Sequence, residues 1–195
     1  MNELLWFLDR AAGLVGLVLL SATVVLGLLA AGRAASGGRP GFVRAALHRS
    51  ISLVAVVGIG VHVVTAIVET YVDIGWISLL VPFSSSYDRF WIGLGTLALD
   101  LLVILTVTSL LRSRIGARAW RLVHWSAYAL WPIAVAHGLG ASTSDELVVV
   151  LTAVTCLVAV GAAGLWRAGR ETADARQRRR FAVADPVRVP QKIGS

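Results

Sequence analysis

Four histidines are the residues of this 195-residue chain whose type and spacing could do chemistry. They form two pairs along the sequence, and the segments that contain them, HRSISLVAVVGIGVH (48–62) and HWSAYALWPIAVAH (124–137), are otherwise almost entirely apolar. In a membrane helix an ionisable side chain is costly and usually has a function. Because imidazole is a common metal ligand, we predict that His48, His62, His124 and His137 bind a metal.

The elements that carry these histidines have the composition of membrane-spanning helices. Hydrophobic residues make up 57% of the chain and charged residues 15%, which excludes an ordinary soluble domain. Runs of roughly the 20 residues that a spanning helix needs cover 11–32, 50–68, 122–144 and 147–166, and a fifth run lies between Arg89 and Arg112. We therefore predict an all-α integral membrane bundle of five transmembrane helices over residues 1–166. Residues 167–195 are expected to form a basic, disordered cytoplasmic tail.

The positive charge of the chain sets the predicted orientation. The net charge is +7, but the charges lie between apolar runs, so the expected partner is membrane lipid and not nucleic acid. When successive loops are assigned to alternate sides, all but two of the 18 Lys and Arg residues fall on one side, the exceptions being Arg10 and Arg89. Positively charged loops stay cytoplasmic. The sequence thus predicts a multi-pass protein of the cell membrane with its N-terminus outside and its C-terminus in the cytoplasm.

This topology places the histidines at two levels, His48 with His124 near the cytoplasmic face and His62 with His137 near the outer face. Histidines of one helix are about 20 Å apart along its axis, too far to share a metal, whereas those of one level can do so. Haem iron accepts two axial protein ligands. Zinc would need three or four clustered ligands, and we expect no carboxylate or thiolate near either level. Two haems, each held by two histidines, fit the pattern best.

The angular positions of the histidines support this arrangement on one helix more than on the other. The 14-residue spacing of His48 and His62 puts both on one helix face. The 13-residue spacing of His124 and His137 falls about 140° short of four turns, and we expect Pro132 to correct the phase by kinking the helix.

The paired His-x13-His and His-x12-His pattern, on two helices separated by one helix, resembles the ferric reductase-like transmembrane domain family. This family includes ferric reductases, the membrane core of NADPH oxidases and the haem membrane subunit of a bacterial methionine sulfoxide reductase system. The segment VPFSSSYDRFWIGLG (81–95) also resembles the family's loop into the third helix. The resemblance covers roughly residues 10–166. It implies an inner haem b bound by His48 and His124, and an outer haem b bound by His62 and His137.

The resemblance also implies transmembrane electron transfer, as the membrane component of a haem oxidoreductase. Residues 167–195 are too few for the flavin and nicotinamide domains of full-length reductases, so a separate flavoprotein reductase or a membrane quinol is the expected donor. The extracytoplasmic acceptor stays open between ferric iron, oxygen and a flavin or molybdenum protein. The alternative is a membrane metal-ion transporter that uses the histidines as relay sites, which would need acidic or thiol partners beside them.

Three other charged residues are candidates for a role near the cofactors. Arg44 and Arg121 lie within about one turn of His48 and His124 and could bind propionates of the inner haem, or could simply anchor the helices as positive-inside residues. Asp100 lies near the middle of the third predicted helix. It could serve a proton path or a haem edge, or could be a neutral or Ser/Thr-paired residue of the bundle interior.

Overall fold

The computed structural model describes residues 3–31, 40–68, 75–142 and 147–184. All regular secondary structure in these ranges is helical. A short 3₁₀ helix, Trp76–Leu79, precedes the third α-helix, and the six α-helices are α1 (Glu3–Ala31), α2 (Pro40–Val68), α3 (Arg89–Leu110), α4 (Ala117–His124), α5 (Ala127–Gly140) and α6 (Leu147–Ala184). Four of the Lys and Arg residues that enter the orientation argument lie outside the described residues: Arg33, Arg39, Arg188 and Lys192.

Four of the helices, α1, α2, α3 and α6, are long and apolar enough to cross a membrane. Many of their large apolar side chains, including Leu4, Val57 and Val158, are exposed. Lipid tails solvate such side chains as well as a protein interior does, so lipid-facing helices need not bury them. The prediction of an all-α membrane bundle is confirmed. The predicted span over 122–144 takes the form of two shorter helices, α4 and α5.

Helix α1 holds the bundle together, because it packs against α2, α5 and α6, while α3 packs against α4 and α5. The buried side chains form two small clusters on either side of Trp131: one contains Leu17, Val135, Ala153 and Cys156, and the other contains Leu20, Ala98, Leu105 and Leu130. The indole N–H of Trp131 donates to the hydroxyl of Ser21 at 2.9 Å, which ties α5 to α1. Cys156 is buried, and its contacts are apolar.

Helix α2 packs along α1 and makes no extended contact with α4 or α5 among the described residues. A gap therefore separates α2 from the α4–α5 segment, the two elements that carry the histidines. The four histidines lie on the two sides of this gap.

The helix that was expected to run through both His124 and His137 is interrupted by a turn. His124 is the last residue of α4, and Trp125 and Ser126 separate it from α5. Across this turn three backbone N–H groups donate to carbonyls three residues earlier, in the bonds Ser126 to Val123, Tyr128 to Trp125 and Ala129 to Ser126. Such 3₁₀ winding turns the chain by about 120° per residue, more than an α-helix does.

The tighter winding rotates His124 towards the helix face that carries His137. The turn lies before Pro132, the residue that was expected to correct the angular mismatch. Pro132 sits inside α5 without ending it. Because proline has no N–H for the carbonyl four residues earlier and its ring crowds that carbonyl, the helix is weakened at Tyr128. The chain takes up the change at Trp125–Ser126, at the end of α5 that has the fewest helical bonds to lose.

Helix α6 extends past the predicted boundary at residue 166 and continues to Ala184. The first part of the expected disordered tail is thus helical. The sequence there is rich in Ala and Arg, which favour helix, and Arg167 donates to Glu171 one turn later at 2.9 Å, a spacing that stabilises helices. Residues 185–195 lie outside the described residues.

Candidate functional site: two histidine pairs across the gap

The structure brings the four histidines together as two pairs, each of which joins α2 to the α4–α5 segment. The ring centroids of His48 and His124 are 6.2 Å apart, and those of His62 and His137 are 6.3 Å apart. A metal–imidazole bond of about 2.0–2.1 Å and a ring radius of about 1.1 Å would separate the centroids of two opposed ligands by roughly 6.2–6.4 Å. Both pairs therefore have the separation of two imidazoles on opposite sides of one metal.

The backbone of the neighbouring helix orients three of the four imidazoles. The Nδ1 atoms lie at hydrogen-bond distance from carbonyl oxygens, with His48 at 3.0 Å from Thr23, His62 at 3.0 Å from Asp9 and His137 at 2.8 Å from Trp91. A carbonyl can only accept, so Nδ1 carries the proton and donates. This assigns the other nitrogen, Nε2, as the free ligand atom, in the manner of metal-bound histidines generally.

A glycine faces each of these three rings, and at two of the three positions a Cβ would crowd the ring. A Cβ added at Gly13 would lie 3.2 Å from the ring of His62, one at Gly27 would lie 3.6 Å from His48, and one at Gly95 would lie 2.6 Å from His137. Each glycine follows, by four residues, the residue whose carbonyl accepts the bond, so the carbonyl and the glycine lie on one helix face. Each imidazole thus rests in a cradle formed by one carbonyl and one glycine of α1 or α3.

The carbonyl and glycine positions of these cradles were not predicted from the sequence. A signal was present on α1, because the Asp9–Gly13 pair recurs 14 residues later as Thr23–Gly27, and 14 is also the spacing of His48 and His62. Two antiparallel helices with the same 14-residue repeat can make the same contact twice. The repeat becomes meaningful only once α1 is known to lie beside α2.

A carboxylate lies beside one histidine, which corrects the expectation that neither level has one nearby. Asp9 Oδ1 is 2.8 Å from Nδ1 of His62, and the hydroxyl of Thr65 lies 3.3 Å from the same oxygen. Asp9 is 53 residues from His62, and only the antiparallel packing of α1 on α2 brings them together. Because the carboxylate meets Nδ1 and not Nε2, it supports a ligand and does not add a second one.

The level of His48 and His124 contains buried polar nitrogens that find no partner among the described residues. They belong to Arg44 (Nε), Trp120 (Nε1) and His124 (Nδ1). Buried polar groups are normally hydrogen-bonded, and the first two are pure donors that need an acceptor. The carboxylates of a haem would provide such acceptors one turn from His48 and from His124.

Other aromatic and cationic groups cover the His124 ring. Trp120 stacks on it with centroids 4.7 Å apart, and the guanidinium of Arg112 lies 4.5 Å above the Trp120 ring. Arg121, by contrast, is exposed, and its Nε donates to the carbonyl of Ala117 within α4. The expected role of Arg121 at the cofactor stays a prediction, while Arg44 is partly buried beside His48.

A cavity of about 310 Å³ lies at the level of His62 and His137. It is bordered by α1, α2, α3, α5, the 3₁₀ helix, residues 141–142 and one residue of α6. Its walls are mainly apolar, and the polar side chains on them are the two imidazoles, Asp9, Arg10, Ser78, Thr96 and Ser142. Gly13 and Gly95 both line it, so the cradles open into it. Asp100 is partly buried on α3 and does not border this cavity, although its neighbour Leu99 does.

The donor set suits a flat metal complex better than a bare metal ion. Across the described ranges no group of three or more His, Cys, Asp or Glu side chains could hold a metal ion. Two opposed imidazoles, a gap between the helices that bear them, apolar walls and unpartnered donors at one edge together fit haem, which brings its own four equatorial nitrogens and two carboxylates.

Comparison with known proteins gives one match. The sequence profile described as "Ferric reductase like transmembrane component" matches residues 12–135, which include His48, His62 and His124 and end two residues before His137. No curated protein and no solved structure matches the chain. The matched region covers well over half of the chain and coincides with the helices that build both histidine pairs, so this protein belongs to the ferric reductase-like transmembrane component family.

Proposed function

We propose that the protein carries electrons across a membrane through two b-type haems, as the membrane component of an oxidoreductase. Proteins of this family generally bind haem, and a haem at each level would supply a one-electron carrier. The observation that carries the proposal is the separation of the two histidine pairs, 6.2 and 6.3 Å between centroids. His48 and His124 would hold one haem, and His62 and His137 would hold the other.

The surrounding residues would orient the ligands and bind the haem carboxylates. The carbonyls of Thr23, Asp9 and Trp91 fix the imidazole protons on Nδ1. Arg44 and Trp120 would donate to the carboxylates of a haem at the His48–His124 level. Since α2 is unbroken between His48 and His62, the two levels are about 21 Å apart along the helix. Transfer from one level to the other would take an electron through much of a hydrocarbon core about 30 Å thick.

The distribution of charge predicts the topology, and the topology indicates the side on which electrons enter. The basic loops put the His48–His124 level near the cytoplasm, where a flavoprotein reductase or a quinol donates electrons, and the acceptor is extracytoplasmic. Reporter fusions test this: one at Gly116, between α3 and α4, should report a cytoplasmic position, and one at Ser85 an external position. The opposite result would exchange the entry and exit levels.

The electron-transfer experiment uses vesicles of defined lipid that contain the purified protein and enclose ferricyanide. Adding dithionite outside should reduce the enclosed ferricyanide at a rate that depends on bound haem, and the protein should show a Soret band with a sharp α-band on reduction. His62→Ala protein serves as the control and should block the transfer. Transfer without haem absorption, or the same rate with the variant, would contradict the proposal.

A further inference from the structure

The four imidazoles differ in what their Nδ1 atoms meet. Those of His48 and His137 meet only a backbone carbonyl, that of His124 meets no acceptor among the described residues, and that of His62 meets both the carbonyl and the carboxylate of Asp9. Among the four imidazoles, and within the part of the chain that the structure describes, only that of His62 has a formal negative charge at hydrogen-bond distance. It lies in a partly buried position on an apolar cavity wall.

We propose that Asp9 lowers the reduction potential of the haem held by His62 and His137, and so makes it the more strongly reducing of the two centres. This inference rests on the proposed function. A carboxylate that accepts the Nδ1 proton makes the imidazole a stronger electron donor through Nε2. The stronger donor stabilises ferric iron relative to ferrous iron, and hydrogen bonding behind an axial ligand is one of the means by which a protein sets a haem potential.

The charge of Asp9 acts in the same direction as its hydrogen bond. A negative charge in a low-dielectric site favours the more positive iron. Arg10 borders the same cavity and has the opposite sign, but its guanidinium lies over the Trp6 ring, 4.4 Å from the centroid. The redox step itself is the gain of one electron by ferric iron, and no bond forms or breaks. Asp9 therefore acts on the iron only through His62.

The structure separates this electronic role from a role in holding the ligand. The carbonyl oxygen of residue 9 is also 3.0 Å from Nδ1 of His62, and every substitution of Asp9 keeps that backbone atom. The imidazole should thus remain oriented, and haem should remain bound, when the carboxylate is lost.

The test is a potentiometric titration of purified, haem-loaded Asp9→Asn protein, with haem content measured in parallel. One of the two midpoints should rise by an amount equivalent to about a tenfold change in the ferric-to-ferrous ratio, which is about 59 mV for one electron. The other midpoint and the haem content should not change. A His124→Ala background, which keeps only the His62–His137 haem, identifies the component that moves.

Two further variants make the result specific. Asp9→Glu keeps the charge and should restore most of the low potential. Asp88→Asn removes an equal charge at the start of α3, which is the end of that helix nearest His137, without a hydrogen bond to His62, and should shift the midpoint much less. The proposal is overturned if Asp9→Asn moves neither midpoint, moves both equally, matches Asp88→Asn, or loses its haem. Wild-type protein without haem would instead contradict the proposed function.

Discussion

At the scale of single residues, the site depends on glycines and carbonyls as much as on the histidines. The histidines could be identified from sequence because an ionisable residue stands out in an apolar run. The glycines could not, because glycine is common in membrane helices and nothing in one helix shows which glycine will face an imidazole of another. Gly13, Gly27 and Gly95 acquire their role only from helix packing.

Adding a methyl group at a cradle glycine should reduce haem content more where the histidine ring lies closer. In Gly95→Ala the new Cβ would lie 2.6 Å from the His137 ring, so the ring must leave the Trp91 carbonyl, and we expect the haem of that level to be lost. Gly27→Ala is the matched control, since its 3.6 Å approach to His48 is an ordinary contact. Haem content measures both. Equal haem in the two variants would show that the cradles do not hold the ligands.

Arg44 gives a second prediction at this scale. Its buried Nε has no acceptor among the described residues, and a hydrogen bond to a charged group is worth about 1.5–3 kcal/mol. Arg44→Leu should therefore weaken haem retention at the His48–His124 level by roughly ten- to hundredfold, measured by transfer of haem to an excess of apomyoglobin. Arg49→Leu, an exposed arginine on the same helix, should retain haem as the wild type does.

At the scale of elements, the turn between α4 and α5 sets the direction of His124 relative to His137. From the sequence, the 13-residue spacing left His124 and His137 on different helix faces, and Pro132 was expected to correct this. The actual position, Trp125–Ser126, could not be predicted because proline weakens a helix over a full turn before it, and tertiary contacts decide where within that turn the chain departs. The extension of α6 to Ala184 was missed for a related reason: charged residues end an apolar run but need not end a helix.

This turn can be tested by changing its length. One alanine inserted after Ser126 would rotate α4 by about 100° and move it by about 1.5 Å relative to α5. We expect the His48–His124 haem to be lost and the His62–His137 haem to remain, with each identified by its midpoint. An alanine inserted after Ser113, in the exposed turn before α4, is the control and should leave both haems bound. Retention of both haems after the first insertion would mean that the turn does not set the phase.

At the scale of the whole molecule, α1 organises the proposed haem site, although none of its residues is a proposed metal ligand. It packs beside α2 in antiparallel fashion, supplies two of the three cradles, and leaves α2 separated from α5 by the gap between the histidines. Apolar run lengths predicted the membrane bundle, and the charge distribution predicted a topology in which the histidines share levels. The order of packing around α1 could not be predicted, because apolar helices in lipid have no polar face to show which neighbour each will take.

The central claim is that each haem is held by one histidine of α2 and one of the α4–α5 segment, and the haem-to-protein ratio of the four single histidine variants tests it most directly. The wild type should hold two haems per chain. His48→Ala and His124→Ala should each hold about one haem, with the same remaining midpoint, and His62→Ala and His137→Ala should form a second matching pair with the other midpoint. If His48→Ala matched His62→Ala instead, or if the wild type held no haem, the account would be contradicted.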